Sequence, residues 1–345
     1  MNHEVTTKQK LLDNKGNLNE PGYSKKEVFE YDRKQIKVAK WKIKEWDYYF
    51  VGNKNYGLCL TFGDNGYVGS LAFTHLDFNA KTEIDAPDIV AFPLGKFKLP
   101  NTSSIGNAEY KTKLTEIHFD NDGVTRHLYG KRINFTKDGK DLVFDIELYN
   151  EPEESMFIAT PFKKKKHFYY NQKINCLEVR GYYQIGEDRY ELTKENGSLG
   201  VLDWGRGVWT YDNTWYWASL STYLEDGTRV GFNLGYGFGD TSAASENVFF
   251  YDGKAYKLED VSFNIPGDGT KKINYMEPWH FTSLDGSIDM IFTPIIDRCD
   301  LTDVLVIKSL QHQVFGTYKG HVIIDGKKVE FDNMLGFAEK VKNCW

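Results

Sequence analysis

The chain has 345 residues, four cysteines and a formal net charge of −6, with 41% hydrophobic and 15% aromatic residues. That length holds two domains or one large β domain with a sizeable core, and the composition excludes a disordered chain. The acidic balance argues against a dedicated nucleic-acid binder, and no stretch reaches the roughly 18 apolar residues of a membrane span. Met1–Val5 lacks the basic-then-apolar layout of a signal peptide, so the expectation is a soluble, cytoplasmic protein. Cys59, Cys176, Cys299 and Cys344 are scattered without a CxxC pair, which predicts neither a disulfide framework nor a structural zinc site.

In chain order, residues 1–30 are polar, carry Gly16, Pro21 and Gly22, and read as an arm laid on the domain behind them. Short helices are expected at Ser24–Glu30 and near Leu335–Lys342. Everything else has β character. Asp-Gly pairs begin at Asp122, Asp138, Asp226, Asp252, Asp268, Asp285 and Asp325, and Asn-Gly pairs at Asn65 and Asn196. These pairs supply the positive φ angles of tight hairpins. Between them the pattern has period two: Leu142, Phe144, Ile146 and Leu148 share one face, and Asp145 and Glu147 the other. Many hairpin-linked strands predict an antiparallel sandwich or barrel, and closure into a barrel would remove exposed edges. The run Lys163–Lys166 reads as a solvated loop leading into a strand.

The segment Leu202–Trp217 is the densest in chemistry. It holds Trp204, Trp209, Trp215 and Trp217, with Asp203 and Arg206 among them. Two readings stand. In one, this is a buried seam with Asp203 and Arg206 paired and tryptophan as filler. In the other, the aromatics line a ligand pocket, and burial raises the pKa of Asp203 so that it donates a proton near neutrality.

The next strand places Val230, Phe232, Leu234, Tyr236 and Phe238 on one face and Gly231, Asn233, Gly235, Gly237 and Gly239 on the other. A glycine-lined face implies a close neighbour or a ligand lying flat, with Asn233 as its polar handle. Asp240–Ser242 and Ser245-Glu246-Asn247 form a polar loop that either closes a pocket mouth or is a surface turn. His280 sits between Trp279 and Phe281 and is a weaker binding candidate. His312 and His321 lack metal-ligand spacing, and Asp297–Asp300 reads as a turn with local ion pairs. No GxSxG elbow, P-loop or HExxH occurs, and nothing requires a metal or cofactor.

Leu18–Gly22, Lys44–Tyr49, Leu202–Gly207, Gly235–Ser242 and Gly316–Gly320 together resemble the bacterial family called domain of unknown function 2804. More distantly, Gly181-Tyr182-Tyr183, Tyr190, Asp203-Trp204-Gly205, Trp215-Tyr216-Trp217 and Glu225-Asp226-Gly227 are similar in order to the carotenoid hydratase-like proteins. The signature of that group reads Asp-His-x-Trp-Gly. Aligning Trp204-Gly205 with it puts Leu202 where the hydratases carry their functional His, so the donor of that mechanism is missing. Only Trp204 carries over, and Asn233 and Tyr236 are the nearest by position to a further Tyr and acid.

The resemblance implies two lipocalin-like antiparallel barrels, here expected at 31–205 and 206–345. It also implies a pocket at or near their junction for a small, largely apolar molecule. Three functions follow as expectations: an acid/base hydratase, isomerase or cyclase with Asp203 and Arg206 catalytic, a non-catalytic carrier or sensor, or a carbohydrate-active protein. Substrate contacts are expected from Trp204, Trp209, Trp215, Trp217, Asn233, Tyr236, Glu246, Asn247 and His280. The sequence leaves the oligomeric state open.

Overall fold

The computed structural model describes residues 2–270, 272–304 and 307–344. The ends of the arm and second-barrel spans, Met1 and Trp345, lie outside them, as do Lys271, Leu305 and Val306. Two curled antiparallel sheets, of fourteen and nine strands among the described residues, make up most of the fold, and Gln9–Lys10 pairs with Phe29–Glu30 in a separate two-stranded parallel sheet. The first runs from an edge at Thr82–Asp85 through Val68–Asp77, Tyr56–Asp64, Lys44–Gly52, Leu199–Val208, Phe168–Ile185, Leu142–Tyr149, Arg126–Arg132 and Thr115–Asn121 to Gly106–Lys111. The second runs from Lys254–Lys257 through Val248–Tyr251, Arg229–Tyr236, Asp212–Tyr223, Lys327–Cys344, Ile307–Ile324, Ile288–Val304 and Trp279–Ser283 to Val261–Ser262. This is the all-β antiparallel architecture that the hairpin spacing predicts, in the two lipocalin-like parts that the resemblance implies. Each ladder is an open path, so the two units are half-barrels.

Alternation decides which side chains go where. Leu142, Phe144, Ile146 and Leu148 enter the first interior, while Val143 and Asp145 are exposed. Val5, Leu11, Leu12 and Phe29 of the N-terminal segment join the same core, and Gly22–Ser24 pairs with Met156–Pro161. Strand Leu199–Val208 lies wholly in the first sheet, between Phe168–Ile185 and Lys44–Gly52. The chain crosses to the second sheet after Val208 and enters it at Asp212.

Both expected helices are absent. Ser24 ends a strand, and Phe29–Glu30 is a second short one; the only helical turns described nearby are the 3-10 turns Arg33–Gln35 and Lys40–Lys42. Leu335–Lys342 is part of strand Lys327–Cys344. Its apolar spacing serves two different neighbours: Ala338 faces the second interior, and Leu335 and Phe337 face the first half-barrel. Residues buried on both faces mimic helical spacing. Asp297–Asp300 is likewise strand, within Ile288–Val304, and not a turn. Lys163–Lys166 is exposed, as expected of a solvated loop.

The half-barrels meet through their outer faces. Tyr48, Phe50 and Cys59 from the first pack with Trp217, Phe315 and Phe337 from the second. A β-bulge between Ile174 and Leu177 strengthens the seam. There Cys176 takes φ +62°, and the buried Asn175 amide donates to Ser219 Oγ at 2.8 Å and to the carbonyls of Leu220 and Phe232 at 3.0 and 3.1 Å.

Candidate functional site

Strand register builds a charged cluster on this seam. Lys173 lies directly opposite Asp203 in the antiparallel pair, which brings the side chains together on the face turned to the second half-barrel. Lys173 Nζ is 3.0 Å from Asp203 Oδ2 and 3.8 Å from Glu246 Oε2. It also sits 4.0 Å from the Trp217 ring centroid, a cation–π contact on a buried ring. Asn171 Nδ2 donates to Asp203 Oδ1. The Trp217 indole donates to Asn233 Oδ1 at 2.6 Å, and the Asn233 amide donates to the Glu246 carbonyl at 2.9 Å. A third carboxyl, Glu339, lies opposite Trp217 in the second sheet. It accepts the Trp215 indole N–H at 2.8 Å and the Gln313 amide at 3.4 Å.

Three carboxyls therefore gather round one ammonium in a largely dry setting. Burial pushes Glu339 up to about 7, with the Asp203 charge adding, against the Trp215 hydrogen bond and Lys173. Burial also raises Glu246, opposed by Lys173 and reinforced by Asp203. The Tyr169 hydroxyl is held protonated by burial first, then by the charges of Glu246, Asp203 and Glu339. Aromatic rings wall the cluster. Trp46 stacks on Tyr169 at 6.1 Å and meets Trp209 edge-on at 5.4 Å. Phe238 touches Tyr169, Trp209 and Trp215 at 4.9, 5.5 and 5.2 Å. Trp46 and Trp215 are half-buried, and the Asp203 and Glu246 side chains keep 9% and 14% of their exposure. These groups form the wet edge of the cluster.

Two glycines make the close approach. A Cβ on Gly235 would lie 2.3 Å from Glu246 Oε1, and one on Gly205 would lie 2.0 Å from the Trp46 ring. At Gly235 the bare face of the strand is filled by this protein's own Glu246 side chain. The adjoining polar loop divides: Asp240–Ser242 is an exposed turn, whereas Ser245 and Asn247 are buried, and Asn247 Oδ1 accepts the Gly235 N–H at 2.8 Å.

The sequence-predicted residues divide. Asp203, Trp209, Trp215, Trp217, Asn233 and Glu246 converge on the seam, with Asn247 bracing it. Trp204 and Arg206 do not. They alternate with Asp203 and point into the first half-barrel, where Trp204 packs on Tyr31 and Tyr170. Arg206 pairs with Asp47 at 2.8 Å, caps the carbonyls of Trp46, Gly205 and Pro100, and lies over the Trp204 ring. A pair three residues apart on a strand falls on opposite faces, so the expected Asp203–Arg206 pair does not form, and Asp203's partner is Lys173. Tyr236 stacks on Tyr216 beside the second interior at 4.4 Å. His280 is half-exposed and pairs with Asp289 at 2.7 Å, on a strand near the far edge of the second sheet.

Sequence reading missed Asn171, Lys173, Glu339, Trp46 and Tyr169. A signal existed for Glu339, a lone acid in the alternating stripe Leu335, Phe337, Glu339, Val341. The helical reading of that stretch hid it. Further along the same seam is a crevice of about 320 Å³, floored by Phe50, Val201, Leu220 and Phe337 and rimmed by Asn53, Ser219 and Asn333. Val201, Ser219 and Phe337 each lie two residues along a strand from Asp203, Trp217 and Glu339, on the same faces.

Residues 2–345 match the family described as "Domain of unknown function (DUF2804)". The chain belongs to that family. No curated protein matches the sequence. Among solved structures it is similar to kievitone hydratase from Nectria haematococca, with a TM-score of 0.52 and 10% identity, over 86% of this chain and 88% of that one. A putative AttH from Nitrosomonas europaea gives a TM-score of 0.43 at 14% identity, over 86% and 91% of the two chains. CghA bound to Sch210972 gives 0.43 at 9%, over 87% of each. At such identities the likeness is one of fold.

Proposed function

We propose that this protein binds a small, largely apolar molecule at the seam between its half-barrels and acts on it by acid/base chemistry of the hydratase, isomerase or cyclase kind. The observation that carries the reading is the cluster itself: Asp203 and Glu246 share Lys173 under aromatic walls, and Glu339, which feels the same ammonium, is pushed to about 7. A carboxylic acid that keeps its proton near neutrality is a general acid, and the neighbouring Glu246 is the matching acceptor. Asp203 is already neutralised by Lys173 and serves to fix the charge of the site, so the proton-carrying role first read for it passes to Glu339. The half-buried Trp215 ring stabilises positive charge developing on an apolar substrate, while the Trp217 ring already carries Lys173. The crevice beyond Val201 and Phe337 receives the rest of the molecule. The fold neighbour named kievitone hydratase bears the name of an enzyme of this class.

Native mass spectrometry of the protein purified from its host, followed by denaturing extraction, identifies a bound compound. Turnover of that compound is expected for the native protein, with loss in Glu339→Gln. Binding without turnover in the native protein makes it a carrier and overturns the enzymatic reading. An empty protein stabilised against heat by oligosaccharides overturns the apolar ligand and favours a carbohydrate-active protein.

A further inference from the structure

Away from the seam, the hairpin of strands Ile288–Val304 and Ile307–Ile324 carries a constellation the acid/base site does not use. Cys299 lies directly opposite His312, and Leu301 directly opposite Leu310. Asp297, Cys299 and Leu301 follow one another at two-residue steps, so these side chains share one face. His312 Nδ1 is 2.9 and 3.0 Å from the two Asp297 carboxylate oxygens. The Tyr275 ring lies flat on the imidazole at 3.7 Å. Fixed on one edge and one face, the ring turns Nε2 toward the Cys299 sulfur, 3.8 Å away. Cys299 is exposed, and beside it Leu301 and Leu310 are 70% and 39% exposed.

We propose that Cys299, His312 and Asp297 form a nucleophile, base and orienting acid that capture uncharged apolar electrophiles of the α,β-unsaturated carbonyl class. The order of contacts is that of an activated thiol: Asp297 holds the Nδ1–H tautomer, which leaves the Nε2 lone pair to accept the thiol proton. The sulfur–hydrogen bond breaks as a sulfur–carbon bond forms at the β carbon. The π electrons move to the α carbon and carbonyl oxygen, and the proton held on His312 returns to the α carbon. Atoms and electrons balance with no other reagent.

The surroundings select the partner. Burial and the charges of Asp297, Asp300 and Glu83 raise the Cys299 thiol, so the resting group is a thiol that needs the imidazole. The same charges repel anionic reagents. Arg298 is committed to Asp85 and Gln313, and Lys340, opposite His312, to Asp268; Lys342 stands opposite Leu310, on the side of the shelf away from Leu301. The Leu301–Leu310 pair offers an apolar shelf next to the sulfur.

The test is site-resolved mass spectrometry of the full chain treated at pH 7 with N-ethylmaleimide or its anionic analogue 3-maleimidopropionate. The neutral reagent is expected to label Cys299 at least tenfold faster than the anionic one, with both rates scaled to N-acetylcysteine. His312→Gln is expected to slow that labelling at least tenfold, and Asp297→Asn several-fold. The second variant keeps the test open if the first does not fold. Labelling rates unchanged in the folded variants, or no preference for the neutral reagent, overturn the proposal.

Discussion

Replacing Glu339 by Gln tests whether the seam stores a proton. The Glu339 carboxyl titrates near 7 in the folded protein and near 4.5 as an ordinary glutamate. Between those values the folded chain holds a proton that the unfolded chain has released, so stability falls as pH rises through the window. At about 1.4 kcal/mol per pH unit, the full difference is about 3 kcal/mol above pH 7. The amide of the variant cannot ionise. It keeps the Trp215 hydrogen bond through its carbonyl oxygen and loses an acceptor facing Gln313, which costs about 1 kcal/mol. Glu339→Gln is therefore expected to be about 1–2 kcal/mol more stable than the native protein at pH 8, and no more stable at pH 4. Thermal unfolding at both pH values reads this, with roughly 2–4 °C for each kcal/mol. Parallel stability–pH curves for the two proteins would refute the buried-acid argument. A stabilised variant without turnover is the signature of a site kept at some cost to stability.

Lys173→Met removes the single cation that Asp203 and Glu246 share. Urea unfolding at pH 7 should show a loss of about 3–5 kcal/mol, and less at pH 5, where Glu246 and Glu339 take up protons more readily. Gly235→Ala places a methyl 2.3 Å from Glu246 Oε1; a loss of about 1–3 kcal/mol and weaker ligand binding are expected, whereas unchanged binding would show that Glu246 is not part of the site. Arg206→Met strands the buried Asp47 carboxylate, about 3–5 kcal/mol by urea unfolding. Ligand affinity in the protein that remains folded should not change, because Arg206 faces the other side of its strand.

Much of the fold is legible in sequence because a strand's alternation is local. Leu142 to Leu148 declare their burial without help from the rest of the chain, and each Asp-Gly pair marks a turn by its own backbone freedom. The same rule puts Asp203 and Arg206, three residues apart, on opposite faces, although the sequence reading paired them. It failed at Leu335–Lys342, where a strand buried on both faces loses its period of two. The site is another matter. Lys173, Asp203, Glu246 and Glu339 are spread over more than 160 positions. Only the cross-strand register and the meeting of two outer sheet faces bring them within reach of one ammonium. The all-β class is legible in sequence alone, and so is the chemical density of the tryptophan-rich segment. The partner of Asp203, the filling of the glycine face by Glu246 and the raised Glu339 carboxyl came from tertiary structure, because burial and charge proximity are properties of the assembled seam.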